Sequence, residues 1–185
     1  MEVIALKIPE VKLIIPKKFG DDRGFFSETY NQTNFKDAGI DITFIQDNHS
    51  LSESIGTLRG LHYQKPPFAQ AKIIRVLNGR ILDVVVDIRR SSPTFGQYVS
   101  AELSAENWTQ MFVPIGFAHG FVTLEPHCEI AYKMSNYYAS DHEDGIRWND
   151  PDLDINWGVP VEGVQLSSKD EKLPLLKDIK DQLPF

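Results

Sequence analysis

Two histidines stand in segments that set them apart from the rest of the chain. His62 lies in Leu58-Arg59-Gly60-Leu61-His62-Tyr63-Gln64, and His119 ends Pro114-Ile115-Gly116-Phe117-Ala118-His119. Imidazole moves protons or binds metals near neutral pH. A transition-metal site draws on three or four N, O or S ligands. The other histidines (His49, His127 and His142) show no ligand spacing with these two, which disfavours a metal centre and leaves His62 and His119 as a residual pair. A lone histidine in a strand is more often structural than reactive, so the surrounding motif must decide. Asp83 and Asp87 raise a related question. They share a strand face with Ile81 and Val85, and acids so placed either support a histidine or lysine of a site or face solvent.

These residues need a scaffold. The chain has 185 residues, 42% apolar and 24% charged, which suits one domain with a sizeable core. A net charge of -7, with lysines and arginines dispersed, lacks the basic footprint of a nucleic-acid binder. A small anion is still admissible, because two or three placed cations hold a diphosphate whatever the total charge. No stretch approaches the roughly 18 apolar residues of a membrane helix. The start, Met1-Glu2, lacks the pattern of a secretory signal. The single cysteine, Cys128, fits a reducing cytoplasm.

Most of the sequence reads as short strands. Candidates are Val11–Ile15, Arg23–Tyr30, Phe44–Ser50, Thr57–Gln64, Lys72–Leu77, Arg80–Ile88, Gln97–Leu103, Gln110–Val113, His119–Leu124 and Glu129–Met134. Asn31 is placed to cap a short helix over Gln32–Ala38, with Gly39 as its stop. Asn78-Gly79, between two apolar runs, predicts a two-residue hairpin. From about residue 139 the chain becomes polar and less regular, with Trp148 and Trp157 as anchors and short helices expected over Ser168–Leu173 and Leu175–Gln182. Eight to ten short strands predict an all-β sandwich or barrel of the jelly-roll type.

Pro114 to His119 fits the P-x-G-x-x-H motif of the cupin superfamily, though a proline–glycine turn before a strand explains the same six residues. Metal-binding cupins carry H-x-H earlier in the chain; here the corresponding place reads His62-Tyr63-Gln64. Five segments in order sharpen the comparison: Asp22-Arg23-Gly24-Phe25-Phe26, Gln46-Asp47-Asn48-His49-Ser50, Leu58 to Gln64, Gly116-Phe117-Ala118-His119-Gly120-Phe121 and Ser168-Lys169-Asp170. Over about Pro9 to Leu173 the chain resembles the dTDP-4-dehydrorhamnose 3,5-epimerase family.

That resemblance implies a metal-independent cupin jelly roll without cofactor, acting as a homodimer on a dTDP-linked 4-keto-6-deoxyhexose. It implies His62 as base with Asp170 as its buried partner, Tyr132 as general acid, and Lys72 as the group that polarises the C4 oxygen. It assigns substrate anchoring to Arg23, Glu28, Gln46, Asn48, Arg59, Lys72, His119, Glu143 and Lys169, with Tyr138 stacking on the base. The residues alone say less. Tyr132 shares a strand face with Ile130 and Met134 and reads equally as core, Lys72 as a strand-end lysine, and Asp170 as a solvated charge. Ideal alternation also puts Arg59 and His62 on opposite faces, so either Gly60 marks a bulge or Arg59 reaches a different part of the ligand. Epimerisation at only C3 or only C5, or non-catalytic binding of a sugar nucleotide, are the competing functions.

Overall fold

The computed structural model describes residues 1–185. Two antiparallel sheets pack face to face as a cupin-type jelly roll. The larger sheet runs, edge to edge, β1 (Glu2–Ala5), β2 (Lys12–Ile15), β10 (Gln110–Val113), β7 (Lys72–Asn78), β12 (Cys128–Met134) and β5 (Gln46–Ser52). The smaller runs β13 (Glu143–Gly145), β6 (Leu58–Gln64), β11 (Phe117–Thr123), β8 (Arg80–Asp87) and β9 (Tyr98–Ser104). A separate hairpin pairs β3 (Phe19–Asp21) with β4 (Gly24–Phe26). None of the helices is long and apolar enough to cross a membrane.

The period-2 pattern of β8 explains the layering. Ile81 and Val85 point into the gap between the sheets, where they meet Ile74, Val76, Met111 and Ile130 of the larger sheet. Val84, Val86 and Ile88 point the other way, into a second core roofed by the C-terminal segment through Trp148, Leu153, Trp157, Leu176 and Leu183. Both tryptophans are the anchors their position suggested, and Trp157 Nε1 donates to the Trp148 carbonyl at 2.9 Å. Each fully buried aliphatic side chain in these layers contributes about 1.5–3 kcal/mol. A third cluster holds helix α1 (Gln32–Asp37) against the larger sheet through Phe35, Ile14 and Ile73. Asn31 caps that helix as expected, accepting from the amides of Thr33 and Asn34, and Gly39 follows it at φ 79°.

Three expectations need correction. Asn78-Gly79 is not a hairpin. β7 pairs with β10 and β12, whereas β8 pairs with β11 and β9, so the chain leaves one sheet for the other at this point. Gly79 alone is left-handed, at φ 79°, and a Cβ there would meet Cys128 Sγ at 2.6 Å. The strand expected over Arg23–Tyr30 shrinks to Gly24–Phe26. In the C-terminal segment, Ser168–Leu173 yields only a 3-10 turn at Asp170–Lys172, and Leu175–Gln182 splits into α2 (Leu176–Ile179) and a 3-10 turn.

Candidate active site

A cavity of about 470 Å³ opens between the sheets at one end of the roll. The smaller sheet contributes Arg59 and His62 from β6 and His119 from β11; the larger contributes Lys72 from β7 and Tyr132 from β12. Lys169 and Asp170 reach in from the C-terminal segment. These seven of the expected residues therefore converge.

Arg59 and His62 share the cavity because β6 is bulged. His119 pairs with His62 and Phe121 with Arg59, so Gly60 and Leu61 together oppose the single residue Gly120. Gly60 sits at φ 128°, and a Cβ on it would come within 2.5 Å of the Gly120 Cα. Glycine at 60 is thus a requirement of the bulge. Leu58, Leu61 and Tyr63 pack into the outer core while Arg59 and His62 turn inward.

His62 Nε2 lies 2.6 Å from Asp170 Oδ1. Asp170 is buried, 3% exposed, and its own amide donates to Ser167 Oγ at 3.1 Å. Burial pushes its carboxyl up, but the His62 imidazole outweighs that, helped by the Gly60 amide and Ser167, and holds it below the usual carboxylate range. Such a carboxylate fixes the ring's orientation and tautomer. Lys72 Nζ donates to the His62 carbonyl at 3.5 Å. Burial depresses its ammonium to about 8, opposed by Asp83 and Glu143.

Beside this pair stands another. His119 Nε2 lies 2.5 Å from Asp83 Oδ1, and Asp83 is fully buried. Of the two readings open for Asp83, support of a site histidine holds. Asp87 serves elsewhere, binding Arg89, Ser92 and Thr94. Burial lowers the His119 pKa, with Asp83 pulling the other way. Asp83 Oδ2 has no hydrogen-bond partner, and neither does the buried Ser50 Oγ, which also lines the cavity. Sequence reasoning quoted Ser50 within a motif without giving it a role; its place on the inward face of β5, two residues from Asn48, was the available signal.

The remaining expected residues fall into two groups. Gln46, Asn48, Tyr138 and Glu143 form a connected run: Gln46 Nε2 donates to Asn48 Oδ1 at 3.0 Å, the Tyr138 amide donates to Gln46 Oε1 at 3.0 Å, and Tyr138 OH donates to Glu143 Oε2 at 2.6 Å. Lys169, which lines the cavity, bonds to the same Glu143 oxygen. Arg23 and Glu28 are not brought to this chain's cavity. Arg23 is exposed at the tip of the β3–β4 hairpin and paired with Asp21, and Glu28 accepts from Asn31 and Asn34 at the start of α1.

Gln64, at the place of the second histidine of metal cupins, is committed to backbone. Its Nε2 donates to the carbonyls of Phe68 and Tyr137 at 2.6 and 3.1 Å, and its Oε1 accepts from the Ala139 amide at 2.7 Å. No group of three or more histidine, cysteine or carboxylate side chains is placed to hold a metal ion.

Residues 5–178 match the family model described as dTDP-4-dehydrorhamnose 3,5-epimerase. The Salmonella typhimurium dTDP-4-dehydrorhamnose 3,5-epimerase is 51% identical over 178 residues, covering 95% of this chain and 96% of the relative. The enzyme of that name from Sinorhizobium fredii is 50% identical, covering 95% and 89%. Among solved structures, a Legionella pneumophila dTDP-6-deoxy-D-glucose-3,5-epimerase in complex with dTDP-4-keto-L-rhamnose superposes with a TM-score of 0.93 at 46% identity, covering 98% and 95%. A Bacillus anthracis dTDP-4-dehydrorhamnose 3,5-epimerase with TDP and PPi bound gives 0.91 at 50% identity, covering 95% and 99%. With that agreement along the chain, and with the bulge, the cavity and the imidazole–carboxylate pair where the motifs fall, the protein belongs to the dTDP-4-dehydrorhamnose 3,5-epimerase family.

Proposed function

We propose that the protein converts dTDP-4-dehydro-6-deoxy-D-glucose to dTDP-4-dehydro-L-rhamnose by inverting C3 and C5 through enolates. A hydrogen beside a ketone is acidic because its loss delocalises charge onto the oxygen. The C4 ketone lies between C3 and C5, so one oxygen-stabilising group serves both carbons. His62, oriented by Asp170, takes the proton, and the Lys72 ammonium meets the enolate oxygen. Tyr132 returns a proton to carbon on the opposite face of the ring. Solvent then restores the phenol and discharges the imidazolium. The scheme calls on no cofactor.

The observation that carries this reading is that His62 and Tyr132 come from opposed sheets across one cavity. A sugar ring held between the sheets meets base and acid on its two faces. Arg59 suits the diphosphate, since its guanidinium donates two parallel hydrogen bonds. Gln46 and Asn48 suit the polar edge of thymine, Tyr138 its face, and His119, Glu143 and Lys169 the remaining polar groups. Arg23 and Glu28, remote from this chain's cavity, act in the partner's cavity of a homodimer. The enzyme works in the cytoplasm.

Tyr132→Phe tests the division of roles. Wild-type protein in heavy water is expected to give product labelled at C3 and C5. The variant keeps base and enolate stabiliser and nearly keeps volume, so it is expected to label substrate with little net inversion, read by mass spectrometry and NMR. Inversion of both centres near the wild-type rate removes Tyr132 as the acid. Neither label nor inversion, with substrate still bound, makes Tyr132 necessary for enolate formation.

A further inference from the structure

Arg23 sits at the tip of a hairpin, β3–β4, whose strand residues are all exposed. An isolated two-stranded hairpin is marginal in water, so something outside it must set where the tip points. Asp21 accepts from the Arg23 amide at 2.9 Å and from its Nη2 at 2.6 Å. These bonds tie the arginine to the hairpin but leave the hairpin's own attachment open.

That attachment centres on Trp108, in the turn between β9 and β10. Its indole stands edge-on to the Phe25 ring, with centroids 4.9 Å apart and planes at 83°. Lys18 Nζ lies 4.0 Å from the indole centroid and 4.2 Å from that of Phe25, within cation–π range of both. The indole Nε1 donates to Ser27 Oγ at 3.0 Å, and Ser27 Oγ donates to the Lys17 carbonyl at 2.9 Å. One N–H thus closes a chain across both legs at the hairpin's base.

The turn is built to hold the indole there. Asn107 Oδ1 accepts from the Ser104 amide at 3.1 Å, and Ser104 Oγ accepts from the Asn107 amide at 2.9 Å. Trp108 itself adopts φ 60°, a left-handed conformation that bulky residues seldom take.

We infer that Trp108 is a positioning residue for substrate binding: it anchors the β3–β4 hairpin so that Arg23 is presented, at a fixed place, to the diphosphate in the partner's cavity. The inference rests on the reading that Arg23 binds that diphosphate. The test is calorimetry with thymidine diphosphate, steady-state kinetics and thermal unfolding on Arg23→Ala, Trp108→Ala, Ser27→Ala and the Arg23→Ala/Trp108→Ala double variant. Trp108→Ala is expected to weaken nucleotide affinity and raise KM about three- to tenfold, a fraction of the ten- to hundredfold that a lost charge-assisted contact carries. Its kcat and unfolding temperature should stay close to wild type. In the Arg23→Ala background the tryptophan change should add nothing, because the group it positions is gone. Unchanged affinity in Trp108→Ala, or full additivity with Arg23→Ala, overturns the positioning role and leaves Arg23 in place. Unchanged affinity in Arg23→Ala removes the arginine from the diphosphate and the inference with it. If Trp108→Ala does not fold, Ser27→Ala decides: it breaks the chain at the base with the turn intact, and wild-type affinity there overturns the proposal.

Discussion

Two imidazole–carboxylate pairs lie side by side on β6 and β11, where His62 and His119 are direct register partners. Their bond lengths nearly match, 2.6 and 2.5 Å, yet their surroundings differ. The His62 side chain is 24% exposed, against 10% for His119, and Asp83 is wholly buried with one oxygen unpaired. Asp170 has auxiliary donors and is held as an anion, and His62 is open to the cavity. Burial works against a charge on His119, which in the proposed scheme makes that ring a fixed polar group rather than a shuttle. Access, more than pairing, separates the two. The buried pair also serves its neighbour, since the Asp83 carboxylate opposes the desolvation of Lys72.

The strongest way to break this contrast is to remove each ring in turn. His62→Ala should lose deuterium uptake at both C3 and C5, with kcat down about 10²–10⁴-fold as for a lost general base, and with nucleotide affinity retained. His119→Ala should keep exchange and show its effect in KM. Equal loss of exchange in both variants would make both rings shuttles. A comparable or smaller effect is expected from Asp170→Asn, roughly 10²–10⁴-fold in kcat, because the ring loses the partner that fixes its tautomer; unchanged kcat would reduce that pair to architecture.

The smallest effect is a displaced pH profile. In the proposed scheme the enolate oxygen meets Lys72 as a cation, and burial depresses the Lys72 pKa to about 8. Activity should therefore be present below that pH and fall as pH rises through it. Asp83→Asn removes a charge that favours the ammonium, so the alkaline limb should move to lower pH. A limb that stays put in this variant belongs to another group.

Much of this was legible in the sequence because periodicity is local. The alternation over Arg80–Ile88 sorted β8 into its two faces, and it flagged Asp83 as an acid among inward apolar residues. Gly60 marked a bulge as one of two ways to reconcile Arg59 with His62, and the register chose it. Pairing across distance was less legible. Asn78-Gly79 carries a strong turn signal, but no local rule says whether the chain turns back within a sheet or crosses to the facing one. β13 is three residues in a polar stretch and becomes a strand only through β6. Asp170 is 108 positions from His62, so its burial follows from where the C-terminal segment docks, and only the family resemblance pointed to it. The hairpin's anchor was invisible for the same reason: nothing near Trp108 in the sequence mentions Phe25 or Ser27.

The bulge on β6 carries a last consequence, for how this scaffold tolerates change in length. Two residues stand opposite one, so deleting Gly60 or Leu61 would give the ladder a more regular register than it now has. Side chains alternate along a strand, and the same deletion would turn either Arg59 or His62 from the cavity toward the outer core. The better-formed sheet would be the inactive one. Catalysis by the proposed scheme depends on a miscount that a search for ideal strands would remove.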